Sequence, residues 1–349
     1  NLTGILYFPK ISNDINMQKD KIQLYQNQVF VTDNVEGIVP EFLTLLRGVI
    51  DSPDIPLNVS RSYLQADGAV KKISNYITRK VADKLNSLYK KDRKGFEEKW
   101  NDIKVVIEYG MLSEDKFFEK AQKFALYPTV NNEYFTFEEL KDKISKTQTD
   151  KDGNLIILYA SNINEQHSYV ESAKAKGYEV LLLDSPIISH LIQKIETSNE
   201  KLNFTRVDSD VIDKLIKKDE KEVSKLNDKE KEKLKTIIEE VVPKEKYTVQ
   251  IEAIESSSPP FVITVPEFMR RMKEMQQSGG NGMFGNMPEM YNLIINVNNP
   301  ICSEILNSKG KAKKERLINQ SLDLAKLSQN LLKGEELTSF IKRSLDLIK

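Results

Sequence analysis

Residues 153–204 carry the pattern that most restricts the fold, a strand followed by a helix, repeated once. The first strand, LIILYAS at 155–161, follows Gly153, and the helix after it ends at Gly177, a residue suited to a helix C-cap. The second strand is YEVLLLD at 178–184. Parallel strands need a crossover between them, usually a helix. The segment therefore predicts a small parallel αβα module within a mixed α/β chain.

Composition excludes several classes of function. The chain has 349 residues, and its 52 Lys plus Arg balance its 52 Asp plus Glu, so the net charge is zero. A broad nucleic-acid surface needs an excess of basic residues, and a membrane span needs an apolar run of about 18 residues. The sequence has neither a basic excess nor such an apolar run.

One cysteine, Cys302, and two histidines, His167 and His190, exclude a disulfide framework and a Cys/His zinc site, and they favour a reducing compartment.

The first third mixes strand and helix patterns. Residues 22–32 are rich in β-branched and aromatic side chains, which predicts a strand. Pro40 and the apolar residues after it predict a helix over 40–50, and a longer helix is expected from about Asp67, a suitable N-cap. The apolar stripe of that longer helix is Val70, Ile73, Ile77, Val81, Leu85 and Leu88.

The composition changes at residues 217–235, where charged side chains dominate, and we place a domain boundary there. Strand patterns follow at 247–254, 261–265 and 291–297, and the chain ends in two amphipathic helices.

Methionine is concentrated in one segment, because six of the eight methionines lie from Met269 to Met290. The segment begins with a predicted helix over 266–277. Its apolar face consists of Phe268, Met272 and Met275, with Met269 beside it. Methionine side chains repack around varied apolar partners, and promiscuous binders use such surfaces. The pattern favours adaptive binding and an ordinary core helix about equally.

A Gly/Asn-rich loop follows that helix and contains Met283 and Phe284. Apolar side chains in such a loop suggest groups kept available for a partner. GNGMFG at 280–285 matches a dinucleotide-loop pattern, but it follows a helix and not a strand, so we reject a nucleotide site there.

The two terminal helices are expected to mediate assembly, because their apolar faces are too wide for each helix to bury alone. The candidate dimerisation residues are Leu317, Leu324 and Leu331 in the first helix and Leu337, Phe340, Ile341 and Leu345 in the second. Pairing with a second copy would form a four-helix bundle about a two-fold axis. Packing against the preceding sheet is the alternative.

The turn at 50–65 (IDSPDIPLNVSRSYLQ) places Arg61 near Asn58 and Gln65. An arginine on such a turn is most often a surface residue. The alternative is presentation to an anion such as a phosphate, which the guanidinium fork fits.

Residues 29–65 (VFVTDNVEGIVPEFLTLLRGVIDSPDIPLNVSRSYLQ) resemble the middle-domain catalytic loop of the heat-shock protein 90 chaperones, in their bacterial HtpG form. LYFPK at 6–10, KGYEVLLLD at 176–184 and the helix near 268–275 fall in the family's order. The resemblance therefore covers essentially the whole chain.

The resemblance implies two αβα-sandwich subdomains joined by a helical connector, and then an α+β dimerisation domain that ends in a helical bundle. The expected domains are a truncated larger middle subdomain at 1–105, the connector at 106–150, the small subdomain at 151–215 and the dimerisation domain at 216–349. The family's N-terminal ATP-binding domain is expected upstream of Asn1. The segment alone should then hold neither ATP nor Mg and should not hydrolyse ATP.

The resemblance also implies residue roles. In the family, an arginine of this loop reaches the γ-phosphate of ATP held by the N-terminal domain. Arg61 occupies that position, and Asn58 and Gln65 match its polar neighbours. The helix with Phe268, Met269, Met272 and Met275 matches the client-contacting helix. His190 stands where the family often has tryptophan, and this departure puts the second client contact in doubt.

The function expected from the resemblance is that of an ATP-dependent, homodimeric chaperone of the stress response that binds non-native client proteins in the cytoplasm. No nucleic acid or membrane partner is expected. A dimeric scaffold or adaptor without client folding is the alternative. A stand-alone α/β enzyme on residues 153–204 is disfavoured, because no nucleophile, metal or phosphate motif occurs there.

Overall fold

The computed structural model forms two compact units. It describes residues 2–8, 22–33, 35, 37–54, 68–218, 222–278 and 290–348, with the backbone alone at 69, 273–278 and 347–348. The first unit comprises residues 1–127 and 134–140, and the second comprises 128–133 and 141–349. The mixed α/β class expected from the sequence is confirmed. The four domain ranges stay predictions.

The first unit begins with a four-stranded sheet. Its strands are β1 (Thr3–Tyr7), β2 (Ile22–Gln26), β3 (Val29–Thr32) and β4 (Arg47–Asp51), in the order β1-β4-β2-β3. The strand predicted at 22–32 is a hairpin, because Asn27 and Gln28 adopt positive φ angles of 49° and 70° and reverse the chain.

The helix predicted over 40–50 is wrong. Only a 3-10 turn, Glu41–Leu43, forms there, and β4 follows it, antiparallel to β1 and parallel to β2. Gly48 lies within β4 at a φ of +139°, where a side chain would collide with the backbone of Ile5. Glycine and the β-branched Val49 and Ile50 favour strand over helix, and pairing with two neighbours decides the outcome.

Helices complete the first unit and continue toward the second. They are α1 (Gly68–Lys91), α2 (Arg93–Glu98), α3 (Trp100–Ser113) and α4 (Asp115–Ala121), followed by β5 (Tyr127–Pro128), β6 (Tyr134–Phe135) and α5 (Phe137–Ile144). The long helix predicted from Asp67 is confirmed as α1. An aromatic cluster forms part of the core, with the ring centroids of Phe42 and Phe117 separated by 4.7 Å.

The second unit starts with the predicted parallel module. Its elements are β7 (Leu155–Ala160), α6 (His167–Ala175), β8 (Val180–Leu182), α7 (Ile188–Thr197), β9 (Leu202–Arg206) and α8 (Ile212–Leu215). The strands are all parallel in the order β8-β7-β9, and β9 is a third strand that the sequence pattern missed. Gly177, at a φ of +74°, follows α6 as predicted.

The rest of the second unit is a three-stranded sheet covered by helices. Its elements are α9 (Asp228–Glu239), β10 (Tyr247–Glu252), β11 (Phe261–Thr264), α10 (Glu267–Ser278), β12 (Tyr291–Asn296), α11 (Pro300–Asn307), α12 (Lys311–Ser328) and α13 (Gly334–Ile348). The sheet order is β10-β12-β11, and the core beneath it includes Leu234, Phe261, Leu293, Ile305 and Ile318. Across the described parts of the chain, no helix has the length and hydropathy to cross a membrane.

Candidate functional site

The candidate ATP-directed residues cannot be placed. Arg61, Asn58 and Gln65 fall in the segment 55–67, which lies outside the described residues. Their role stays a prediction.

Two of the candidate client-binding residues on α10, Phe268 and Met269, face outward. Phe268 is 71% exposed and Met269 is 38% exposed, while Met272 is half-buried. Met275 belongs to α10 by its backbone, and Met283 and Phe284 lie outside the described residues. An ordinary core helix would bury its apolar face. The core interpretation is therefore wrong for Phe268, which is among the most exposed large apolar side chains described.

The opposite side of α10 is buried, and its centre is an arginine. Arg270 is only 7% exposed. Its Nη2 donates a hydrogen bond to the hydroxyl of Tyr159 on β7 and another, of 2.5 Å, to Oε1 of Glu267. The guanidinium also lies 5.6 Å from the centroid of the Tyr159 ring. A buried guanidinium is stable only where such partners surround it.

Arg271 joins the same helix to α7 and β9. Its Nη1 donates to Oε2 of Glu196 at 2.7 Å and its Nη2 donates to Oε1 of Glu196 at 3.1 Å. Nη2 also donates to the carbonyl of Phe204 at 2.5 Å, and Nε donates to Glu267 at 2.7 Å. Burial opposes the charged form of Arg271, but its bonds to Glu196 and Glu267 and their charges outweigh burial and raise its pKa.

A second ion pair, between Arg206 and Asp208, lies at the end of β9. Arg206 holds Asp208 through two hydrogen bonds of 2.6 and 2.9 Å. The backbone carbonyl of Asp208 accepts a 3.1 Å bond from the amide of Val265, just before the helix. The chain therefore enters α10 already attached to the parallel module.

These polar contacts were missed at the sequence level. The available signal was the spacing of Glu267, Arg270 and Arg271, which places a carboxylate and two cations on one side of a helix at i, i+3 and i+4. Their partners Tyr159 and Glu196 are far away in sequence, so the pattern alone could not identify them.

His190, the departure from the family's tryptophan, lies in the first turn of α7 and is half-buried. The same helix carries Glu196, which Arg271 contacts, so α7 and α10 are direct neighbours. The effect of this histidine on binding stays a prediction.

The candidate dimerisation residues divide between core and surface. Leu317 and Leu331 pack against the core of the second sheet, and Leu337 and Phe340 are half-buried. Leu324, Ile341 and Leu345 are exposed by 49%, 49% and 55%. Leu327, which the heptad pattern did not single out, is also exposed. The terminal helices thus contribute to their own core and retain an exposed apolar surface.

Polar contacts attach α13 to α12. Asp323 of α12 pairs with Arg343 of α13. Nζ of Lys326, also on α12, lies 3.6 Å from Oδ1 of Asp323 and 3.0 Å from Oε1 of Glu336 on α13. Asp323 and Lys326 are largely buried, so each needs these partners to offset the loss of water, and the pairs attach α13 to α12.

Comparison with known proteins gives a consistent result. The family model described as Hsp90 protein matches residues 1–340. The chain is 45% identical to the Chaperone protein HtpG of Bacteroides thetaiotaomicron, in an alignment covering 100% of this chain and 61% of that protein. It is 47% identical to the Chaperone protein HtpG of Porphyromonas gingivalis, over 94% of this chain and 48% of that protein. The chain therefore spans between about half and three fifths of these relatives.

The exposure of Phe268 leads to a stability prediction. Phe268→Ala should change the free energy of unfolding by no more than about 0.5 kcal/mol, because little contact is lost. The matched change Phe261→Ala, at a side chain only 2% exposed, should cost about 3–5 kcal/mol. Urea unfolding followed by circular dichroism measures both. A loss at Phe268 as large as that at Phe261 would show that α10 buries its apolar face.

Proposed function

The chain belongs to the Hsp90 protein family, and from that premise we propose that it supplies the client-holding and pairing parts of an ATP-dependent molecular chaperone. In this proposal the exposed face of α10 holds non-native proteins, and the terminal helices join two copies. The segment containing Arg61 assists ATP turnover in a protein that also carries an ATP-binding domain.

The observation that carries the proposal is the orientation of α10. The helix turns Arg270 inward at 7% exposure and Phe268 outward at 71% exposure, the reverse of an ordinary surface helix. Keeping a large aromatic side chain in water is unfavourable. A partner that covers it would recover that free energy, so the arrangement supports a binding face.

The side chains on this face suit partners without a fixed structure. Phe268, Met269 and Met272 offer an aromatic ring and two flexible, polarizable thioethers. Such a surface adapts to many apolar segments and selects weakly among them, as binding of varied non-native proteins requires.

A double charge substitution tests the client face. Phe268→Glu combined with Met269→Glu should raise the chaperone concentration that halves aggregation of a chemically unfolded reporter enzyme by about tenfold or more. The variant loses apolar contact and would bury carboxylates against the client. Light scattering during dilution of the reporter from denaturant measures the effect.

The matched control is Val223→Glu, which places a carboxylate at an apolar residue that is 83% exposed and whose carbonyl accepts a hydrogen bond from Asn298, beyond the end of β12. It should suppress aggregation like the unsubstituted chain. If the double variant is also unimpaired, the chain holds clients elsewhere or not at all.

Homodimerisation through α12 and α13 is the second part of the proposal. The exposed Leu324, Leu327, Ile341 and Leu345 support it, because they form an apolar surface on two helices whose inner faces are already packed. A dimer would also present two client faces at high effective concentration to one partner.

Charge substitution at this surface should separate the copies. Leu324→Asp with Ile341→Asp should yield monomers at micromolar concentration, because the interface would have to bury two unpaired carboxylates per copy. Static light scattering after size exclusion gives the mass directly. Leu88→Asp, at another exposed leucine, serves as the control and should leave a dimer. A monomeric unsubstituted chain, or a dimeric double variant, would contradict this part.

Assistance to ATP turnover is the third part, and it rests on the sequence of the 29–65 segment alone. The guanidinium of Arg61 would stabilise negative charge that develops on the transferred phosphoryl group, as an arginine finger does, with Asn58 and Gln65 beside it. ATP and Mg would be bound by the ATP-binding domain.

Arg61→Ala, made in a longer protein in which this chain is joined to its ATP-binding domain, should lower ATP turnover on the order of a hundredfold. Nucleotide affinity should change little, since the contact forms during the reaction. A coupled ATPase assay and nucleotide titration measure the two quantities, with Arg79→Ala on α1 as the control. Unchanged turnover would refute the role.

The competing function is a dimeric scaffold that does not bind clients. It predicts the same terminal helices but gives no reason for the exposed Phe268 and Met269, and the double substitution on α10 separates the two. A cytoplasmic location is part of the proposal and follows from the family resemblance.

A further inference from the structure

Six charged side chains gather where α10 meets the parallel module, and we refer to them as the arginine cluster. It consists of Arg206, Arg270 and Arg271 with Glu196, Glu267 and Asp208. The three cations and three carboxylates balance, so the cluster can be buried without net charge. Together they connect α10 to both α7 and the carboxyl ends of two strands.

Within the cluster, the pair Glu196–Arg271 joins α10 to α7 through two side-by-side hydrogen bonds. Two nitrogens of Arg271 face two oxygens of Glu196 at 2.7 and 3.1 Å. The same Glu196 accepts the amide of Phe204 at 2.6 Å, while Arg271 donates to the carbonyl of Phe204. Both members are thus tied to one residue of β9, and neither can move alone without breaking several bonds.

This geometry determines which way α10 presents its apolar face. At about 100° per residue, Arg270 lies roughly 160° around the helix from Phe268. Rotation of α10 that released Arg270 would therefore carry Phe268 toward the protein interior. Arg271 lies about 60° from Phe268 on the same helix, and its bonds to Glu196 oppose that rotation. Among the described side chains, Glu267, Arg270 and Arg271 of α10 form hydrogen bonds with Tyr159, Arg206 and Glu196 of the parallel module.

We propose that Glu196 and Arg271 are positioning residues for the client-binding face, which they hold in one orientation by attaching α10 to the parallel module. The inference rests on the proposed client function of Phe268 and Met269. Neither residue of the pair needs to touch a client. Their effect is to fix the face before binding, so that the client does not have to order the helix.

The test compares Arg271→Ala, Arg271→Lys and Glu196→Gln in the whole chain, with Arg316→Ala on the exposed side of α12 as the matched loss of an arginine. Aggregation suppression of an unfolded reporter enzyme gives the half-effect concentration. Hydrogen–deuterium exchange of α10 amides, with β12 amides as the internal reference, reports whether the helix has become loose.

Arg271→Ala should raise the half-effect concentration on the order of tenfold, which corresponds to about 1.4 kcal/mol. It should also speed hydrogen–deuterium exchange of the α10 amides and leave the exchange rates of the β12 amides unchanged. Arg271→Lys keeps the positive charge but lacks the planar guanidinium fork. Its half-effect concentration should lie between those of the unsubstituted chain and Arg271→Ala. The double variant Glu196→Gln, Arg271→Ala should lose no more aggregation suppression than the more impaired single variant. The reason is that both substitutions remove the same Glu196–Arg271 pair.

Two results would overturn the proposal. One is faster exchange in α10 with an unchanged half-effect concentration. The other is equal impairment by Arg271→Ala and Arg316→Ala. If Arg271→Ala does not fold, Arg271→Lys and Glu196→Gln decide by the same readouts. Failure of the client function itself would show differently, as an unimpaired Phe268→Glu, Met269→Glu variant.

Discussion

The burial of Arg270 is the interaction on which the rest of the site depends. A guanidinium at 7% exposure must be hydrogen-bonded, and Tyr159 and Glu267 provide its partners. Once the polar side of α10 is committed to the interior, the geometry of a helix forces Phe268 outward. An exposed apolar face is thus a consequence of a buried polar one.

Long-range contacts explain which strands and helices could be predicted from the sequence and which could not. The parallel module was predictable because 155–160 and 180–183 are continuous apolar runs, and because Gly177 ends the helix between them. The third strand, β9, was missed because its alternation of apolar and polar residues, Leu202 to Thr205, is only four residues long. It forms because β7 offers a parallel partner from Leu155 to Tyr159.

The segment at 40–50 shows the reverse error. Its apolar spacing fits a helix, but β4 gains hydrogen bonds from strands on both sides, and Gly48 is compatible with that conformation. At the candidate site, the apolar face of α10 was predictable from helical spacing. The burial of Arg270 and Arg271 was not, since Tyr159 and Glu196 are brought to them only by tertiary folding.

In the terminal helices, one heptad pattern contains both core and exposed leucines. Leu317 and Leu331 complete the core of their own chain, whereas Leu324 at the intervening position is 49% exposed. A seven-residue repeat therefore indicates an apolar stripe but not its partner. Asp323 and Lys326, on either side of Leu324, pair with Arg343 and Glu336 of α13.

The central claim, that α10 contacts non-native proteins through its exposed face, can be measured at Phe268 directly. The one cysteine, Cys302, is fully buried and burial raises the pKa of its thiol to about 12, so an introduced cysteine can be labelled selectively. A polarity-sensitive fluorophore on Phe268→Cys should shift to the blue, saturably, when an unfolded reporter protein is added, while the same label on Val223→Cys should not. A label at 268 that keeps its emission while the reporter is demonstrably bound would contradict the account.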